Sequence, residues 1–236
     1  MTKKFIVIDT ETAPVVPSDE VDPRNMRVYD LGWIVTDRDG VIYEQRSYII
    51  ANTFFNHALM QGAYYADKLP QYYQGMGTAW EVISFLDAYK QFAADVKQYN
   101  VRDIWAYNAR FDRSALNATI EDYSNGFRAF FYPFGCKVRD IWDYAGSTIC
   151  NTKKYVAWCR ENGFVSDKGN PQTSAEVVYR YITGRNDFAE AHTALNDCEI
   201  ELSILRAARK RHQKARKSMG QGWRDAAKIA KNNPAK

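Results

Sequence analysis

Asp9 and Glu11, separated by Thr10, end an apolar run, Phe5 to Ile8, in the stretch KKFIVIDTET from Lys3 to Thr12. Side chains of a strand alternate between faces, so the two carboxylates point to one side. Like charges held together at the edge of a core raise each other's pKa and cost stability unless a cation lies between them, and a divalent metal is the usual remedy. The tripeptide alone is common at strand ends and carries little. Two further acids strengthen it: Asp112 in YNARFDRSAL, and Asp197 in AHTALNDCEIEL, where His192 stands five residues earlier. Four carboxylates without a cysteine ligand suit hard ions, magnesium or manganese. Histidine titrates near neutrality and suits removal of a proton from an attacking water. Together these are parts for metal-assisted hydrolysis.

The elements that must position these groups follow from patterning. Phe5 to Ile8 reads as a strand buried on both faces. Val28 to Thr36 and Val41 to Ile50 read as two more, joined at Asp37 to Gly40 by a hairpin turn, which gives an antiparallel meander. Between the first two, Ala13 to Asn25 (APVVPSDEVDPRN) reads as an acidic, proline-containing surface loop that leaves the sheet and borders Glu11. Ala51 to Gly77 is rich in aromatics (Phe54, Phe55, Tyr64, Tyr65, Tyr72, Tyr73), with helical spacing in parts. Such pairs stack on unpaired bases or fill a core, and core packing is the commoner use.

A capping box at Thr78 to Glu81 predicts a helix to about Tyr99 that covers the sheet with Val82, Phe85, Leu86, Tyr89, Phe92, Ala93 and Val96. Asp103 to Tyr107 reads as a fourth strand. Asn108 to Asp112 then opens a helix to about Glu121, on which Asp112 shares a stripe with Ala115, Leu116 and Thr119. A carboxylate on a core-facing stripe needs a partner. Three are open: a metal, the dipole of its own helix, or Arg110 or Arg113. Asn125 to Cys136 reads as a loop around a short strand. Helices are expected at Ile141 to Thr148, at Thr152 to Asn162 with Gly163 ending it, and at Thr173 to Thr183, opened by a second capping box, Thr173 to Glu176, and closed by Gly184. The last core helix begins within Glu190 to Glu201 and runs to about Arg209. On one continuous helix His192 would lie roughly 140° around from Asp197, so the two can share a site only if His192 sits in the loop or first turn. Its plainer role is a capping or surface histidine.

With 236 residues, 46% hydrophobic and 25% charged, the chain has the composition of a soluble globular domain, expected over residues 1–209 with a tail at 210–236. No run of 18 apolar residues and no basic-then-apolar leader is present, so a cytoplasmic protein is expected. Cys136, Cys150, Cys159 and Cys198 lack C-x-x-C spacing, which argues against zinc and against a disulfide framework. Residues 206–236 hold eleven Lys/Arg and one acid, against 21 Lys/Arg and 27 acids before them. The basic tail reads in three ways: as a phosphate-binding segment, a solubilising end, or a tether.

The ordered set of D-x-E at a strand end, N-x-x-F-D opening a helix and H-x-x-x-x-D opening the last helix resembles the DEDDh branch of the DnaQ-like 3′-to-5′ exonucleases. The resemblance spans roughly residues 3–209 and rests on Ile8 to Thr12, Tyr107 to Leu116 and Ala191 to Leu202. It implies an α/β, ribonuclease H-like fold, with a mixed sheet of three antiparallel strands plus parallel ones, flanked by helices. It implies that Asp9, Glu11, Asp112 and Asp197 are the metal-binding acids for two divalent ions, Mg2+ or Mn2+, and that His192 is the general base. In that scheme Asp9 bridges the ions, Glu11 and Asp197 complete one site, and Asp112 holds the other. Thr12 and Ala13 would offer backbone groups to the 3′-terminal nucleotide, and Asn108 and Phe111 would position its sugar or wedge a base; Asn108 equally suits a helix cap. The implied substrate is the 3′ end of DNA, preferably single-stranded, with RNA or a non-catalytic nucleic-acid-binding module as alternatives and a DNA polymerase or other replication protein as a partner. Two departures bear on substrate choice. Ala13 and Pro14 follow Thr12 where the family often continues T-G, and Ala51 to Gly77 lacks the family's usual motif.

Overall fold

The computed structural model describes residues 2–16, 21–63, 65–211 and 222–232. A six-stranded sheet has the order β4-β3-β2-β1-β5-β6. Its strands are β1 (Lys4–Pro14), β2 (Met26–Asp37), β3 (Ile42–Ile50), β4 (Glu81–Ile83), β5 (Asp103–Ala106) and β6 (Lys137–Asp140). The helices are α1 (Ala51–Phe54), α2 (His57–Met60), α3 (Leu69–Gly75), α4 (Phe85–Gln98), α5 (Ala109–Tyr123), α6 (Ile141–Ala145), α7 (Lys153–Glu161), α8 (Ala175–Thr183), α9 (Ala194–Arg209) and α10 (Gly222–Asn232). β1 pairs antiparallel with β2, and β2 with β3, whereas β3 and β4 run parallel. The mixed α/β architecture expected from the meander and the later strand-helix order is the one observed.

The chain divides into two compact units: residues 1–104, 111–138 and 191–198, and residues 105–110, 139–190 and 199–236. In the first, Phe5, Ile6, Val7 and Ile8 are all buried, as a strand covered on both faces requires. Trp33 of β2 stands edge-on to Phe92 of α4, and its indole N–H donates to the buried Asp95 carboxylate at 3.0 Å. A second cluster gathers Ala13, Tyr29, Ile49, Phe54, Met60, Ala63 and Tyr72. Phe54 and Tyr72 therefore serve the core, the commoner of the two uses open to that aromatic segment; Tyr64 lies outside the described residues.

Several boundaries differ from expectation. β1 continues through Ala13 to Pro14, so the loop leaves the sheet later than the prolines suggest; its residues 17–20 lie outside the described ones. Thr78 does not cap a helix. Glu81–Ile83 is a strand, and α4 starts at Phe85 with the Ser84 hydroxyl accepting from the Asp87 amide, a competing Ser-x-x-Asp signal three residues past the first box. Val82 is accordingly exposed rather than core. Residues 125–136 contain no strand; the strand lies just after them, as β6. Ser174, not Thr173, caps α8.

In the second unit, α6 continues as a π-helical turn, Gly146–Cys150. The Tyr155 hydroxyl donates to the Gln172 carbonyl at 2.7 Å, and the Trp142 indole N–H to the Thr173 hydroxyl at 2.9 Å. Ala226 and Ala230 of α10 are buried, four apart on one helix face, where α10 packs on α6, the π-helical turn and α7. Of the basic tail, residues 212–221 lie outside the described ones. The four cysteines are free thiols, three of them buried.

Candidate functional site

Of the five residues expected to carry chemistry, Asp9 and Glu11 sit within β1, Asp112 and Asp197 in the first turns of α5 and α9, and His192 in the loop before α9. Asp9 and Glu11 lie on β1, facing Gly32 and Asp30 of β2 across the ladder. Directly opposed residues of an antiparallel pair share a face, so these four positions form one patch. The register shifts between Glu11 and Thr12, leaving Tyr29 as the extra residue on β2; such bulges re-aim the side chains beside them.

Gly32 decides what covers that patch. A Cβ built on it would stand 2.5 Å from the Leu195 amide nitrogen and 2.6 Å from the Ala194 carbonyl carbon. The first turn of α9 thus lies directly on the β2 backbone, in the space a side chain opposite Asp9 would fill. That close approach brings the start of α9 to the acids. One carboxylate oxygen each of Glu11 and Asp197 and a ring nitrogen of His192 lie within 4.8 Å of one another. Asp112, in the first turn of α5, is buried, and accepts a hydrogen bond from the Thr10 hydroxyl at 2.9 Å.

The electrostatics are those of crowded anions. Burial pushes the Glu11 carboxyl up to about 9, helped by the charges of Asp197, Asp30 and Asp112 in that order. Around neutral pH and without a counter-charge, Glu11 holds a proton. A divalent cation would reverse this, and the hard carboxylate donors fit magnesium or manganese.

His192 is not on α9, which begins at Ala194. It lies in the preceding loop, where it can join Asp197, and its φ of 54° is in the left-handed region, uncommon for residues other than glycine though histidine adopts it more readily than most. Its surroundings hold it there. The ring stacks on Tyr65, with centroids 4.1 Å apart and planes 12° off parallel. The Ala194 amide donates to Asp30 Oδ2 at 2.9 Å. The Tyr72 hydroxyl gives its one proton to the same oxygen at 2.8 Å, while lying 3.5 Å from the His192 carbonyl. Burial pushes the Asp30 carboxyl up to about 6 against the pull of these two donors and the Leu31 amide.

Asp30, Gly32, Tyr65 and Tyr72 were missed at the sequence level. Asp30 and Gly32 had a readable signal, a charge and a glycine inside the apolar run VYDLGWIV. Tyr65 and Tyr72 had none beyond belonging to an aromatic segment. Asp30 gives a pH test. Its proton is held more tightly folded than unfolded, so its share of the stability falls as pH rises from about 4 to about 6 and is level above, while the share of Glu11, pushed up to about 9, goes on falling to higher pH. Asp30→Asn keeps an oxygen for both donors and removes the charge. It is expected to stabilise the metal-free chain by about 2–3 kcal/mol at pH 7.5 and to remove the Asp30 share of the slope, leaving that of Glu11. Tyr72→Phe should instead cost about 1 kcal/mol, because Asp30 loses one of the donors that hold it at the start of α9. Urea melts at pH 4.5 and 7.5 check both.

The remaining expected residues are placed as follows. Thr12 is half-buried and pairs with Val28; the Ala13 side chain is in the core cluster. Phe111 is half-buried on the first turn of α5. Asn108 belongs to the second unit and has a left-handed φ of 62°, which asparagine tolerates.

No protein-family profile and no curated sequence matches the chain. Solved structures share its fold. E. coli Exonuclease I in complex with a dT13 oligonucleotide superposes with a TM-score of 0.53 at 17% identity, over 89% of this chain and 42% of that one. The chain thus spans about two fifths of the length of Exonuclease I. The nuclease domain of 3′hExo, a DEDDh family member, bound to rAMP, gives a TM-score of 0.61 at 13% identity, over 91% of this chain and 96% of that one. A 3′-exonuclease described by its 3′-end-specific recognition of a histone mRNA stem-loop gives 0.57 at 13%, over 88% and 81%. At these identities the likeness is one of fold.

Proposed function

We propose that the chain is a metal-dependent 3′-to-5′ exonuclease that hydrolyses phosphodiester bonds from single-stranded 3′ ends, DNA foremost, and releases nucleoside 5′-monophosphates. The observation that supports this most is the convergence of Glu11, Asp197 and His192 within 4.8 Å on the face that also carries Asp9, with the Asp112 carboxylate close enough to raise Glu11. The fold shared with 3′-exonucleases bound to a DNA oligonucleotide and to rAMP agrees with it.

Asp9, Glu11, Asp112 and Asp197 would hold two divalent ions. When bound, such ions supply charge compensation for the phosphoryl oxygens and for the departing 3′ oxygen. The chain's own groups do the rest. His192, stacked on Tyr65 and fixed by the loop tie to Asp30, takes the proton from the attacking water. Thr10 orients Asp112 by its hydrogen bond. Asp30, itself held by the Tyr72 hydroxyl, accepts from the Ala194 amide and so anchors the chain two residues after His192.

The RNA reading has its own support in the two neighbours associated with rAMP and with an mRNA stem-loop. Matched 5′-labelled DNA and RNA 20-mers with magnesium test both. The expected result is a ladder shortening from the 3′ end, faster on DNA, with mononucleotide as product and full arrest by EDTA. Faster loss of the RNA would reverse the preference, and binding without any shortening would leave only a nucleic-acid-binding module.

A further inference from the structure

We infer that the second unit carries its own binding track for single-stranded nucleic acid, built on α10. This rests on and deepens the proposed function, because it names where a strand, as distinct from its reacting end, is held.

The helix has two faces. Ala226 and Ala230 are buried against the unit, while Arg224, Lys228 and Lys231 follow a spacing of four and three and form one exposed stripe. The stripe does not face open solvent on every side. With Arg160 and Lys168 it lines a cavity of about 800 Å³, rimmed by Trp223 and floored by Ala227 and Ala230. Five cations line this cavity, and no acid does among the described residues. Arg160 is fixed in place by donating to the Ala230 carbonyl at 3.1 Å.

A second cavity of about 610 Å³ shares Trp223 and Asn170 with the first and changes character: it is lined by Tyr107, Trp142, Asn108, Gln172 and Thr173, with no charged side chain among the described residues. Trp223, 47% exposed, stands between the two. Cations on one side and flat rings with amide and hydroxyl groups on the other match the two sides of an unpaired strand, its phosphates and its bases. An acidic peptide or a membrane surface would use the cations and leave the ring-lined cavity without purpose. A duplex hides the base faces that the rings require.

The test is binding of 5′-fluorescein dT20 by anisotropy, with EDTA present, as a function of salt. The triple variant Arg224→Ala/Lys228→Ala/Lys231→Ala is expected to lower the slope of log K against log salt by about 2, since each phosphate that the chain no longer neutralises takes roughly 0.7 from it. Trp223→Ala is expected to weaken binding about tenfold at fixed salt, within the range for removal of one base stack. The charge-conserving Arg224→Lys/Lys228→Arg/Lys231→Arg chain should keep both affinity and slope. An unchanged slope in the alanine variant overturns the inference, as does an equal fall in the charge-conserving one. Wild-type binding to phosphatidylserine vesicles but not to dT20 overturns it as well. A chain that binds dT20 with this slope yet never shortens it refutes the exonuclease reading alone. One that shortens DNA while the alanine variant keeps the wild-type slope refutes the track alone.

Discussion

Replacing His192 by alanine is expected to cut mononucleotide release by about 10²–10⁴-fold, the range for loss of a general base, while stability changes by about 1 kcal/mol or less. The small stability effect follows from its position. The ring touches Tyr65 at the edge of the site rather than filling the core, and the residue occupies a strained backbone conformation. Divalent-metal binding, followed by calorimetry, should survive, because the four carboxylates remain. This separates His192 from Asp9, whose alanine variant is expected to lose both activity and metal. Normal turnover by pure His192→Ala chain would remove the base from the proposed mechanism, and loss of metal binding there would make His192 a ligand instead.

Gly32→Ala is expected to be the most damaging small substitution away from the carboxylates. Its added methyl would meet backbone atoms of Ala194 and Leu195 at 2.5–2.6 Å, and backbone cannot give way as a side-chain tip can. The start of α9 must move, and overpacking of this kind costs about 1–3 kcal/mol or more. For a chain of this size that is a fall in melting temperature of roughly 2–12 °C. Because the displaced turn carries Asp197 and follows His192, metal affinity and turnover should fall together. A thermal melt and a magnesium titration on the same sample check this. A folded variant with unchanged metal affinity would show that the close approach does not set the acids.

How much of this was legible before the fold was known depends on range. The strand carrying Asp9 and Glu11, the meander, and the helices opening near Asp112 and Asp197 are written in local apolar periodicity, although β1 runs on to Pro14, past the residues where that periodicity stops. Placement of His192 in a loop followed from a 140° mismatch on a continuous helix. Glu81–Ile83 was misread because two capping signals compete there, and a three-residue edge strand is too short to announce itself. β6, reading KVRD, has no apolar alternation at all. Tyr65, Tyr72 and Asp30 reach the site across 120 or more residues of sequence, through pairings that no local pattern encodes. The C-terminal charge was plain, but that it includes a helix with a buried alanine face depends on what α10 packs against.

The tie between β2 and the first residue of α9 has a practical side. On the proposed reading, the anionic cage rides on regular elements, whereas the proton acceptor hangs on two residues of irregular chain hooked to Asp30. Slackening that hook leaves the cage standing. The same molecule then passes from a blade to a clamp, gripping a strand it no longer cuts, and its uncut complex becomes something that can be isolated.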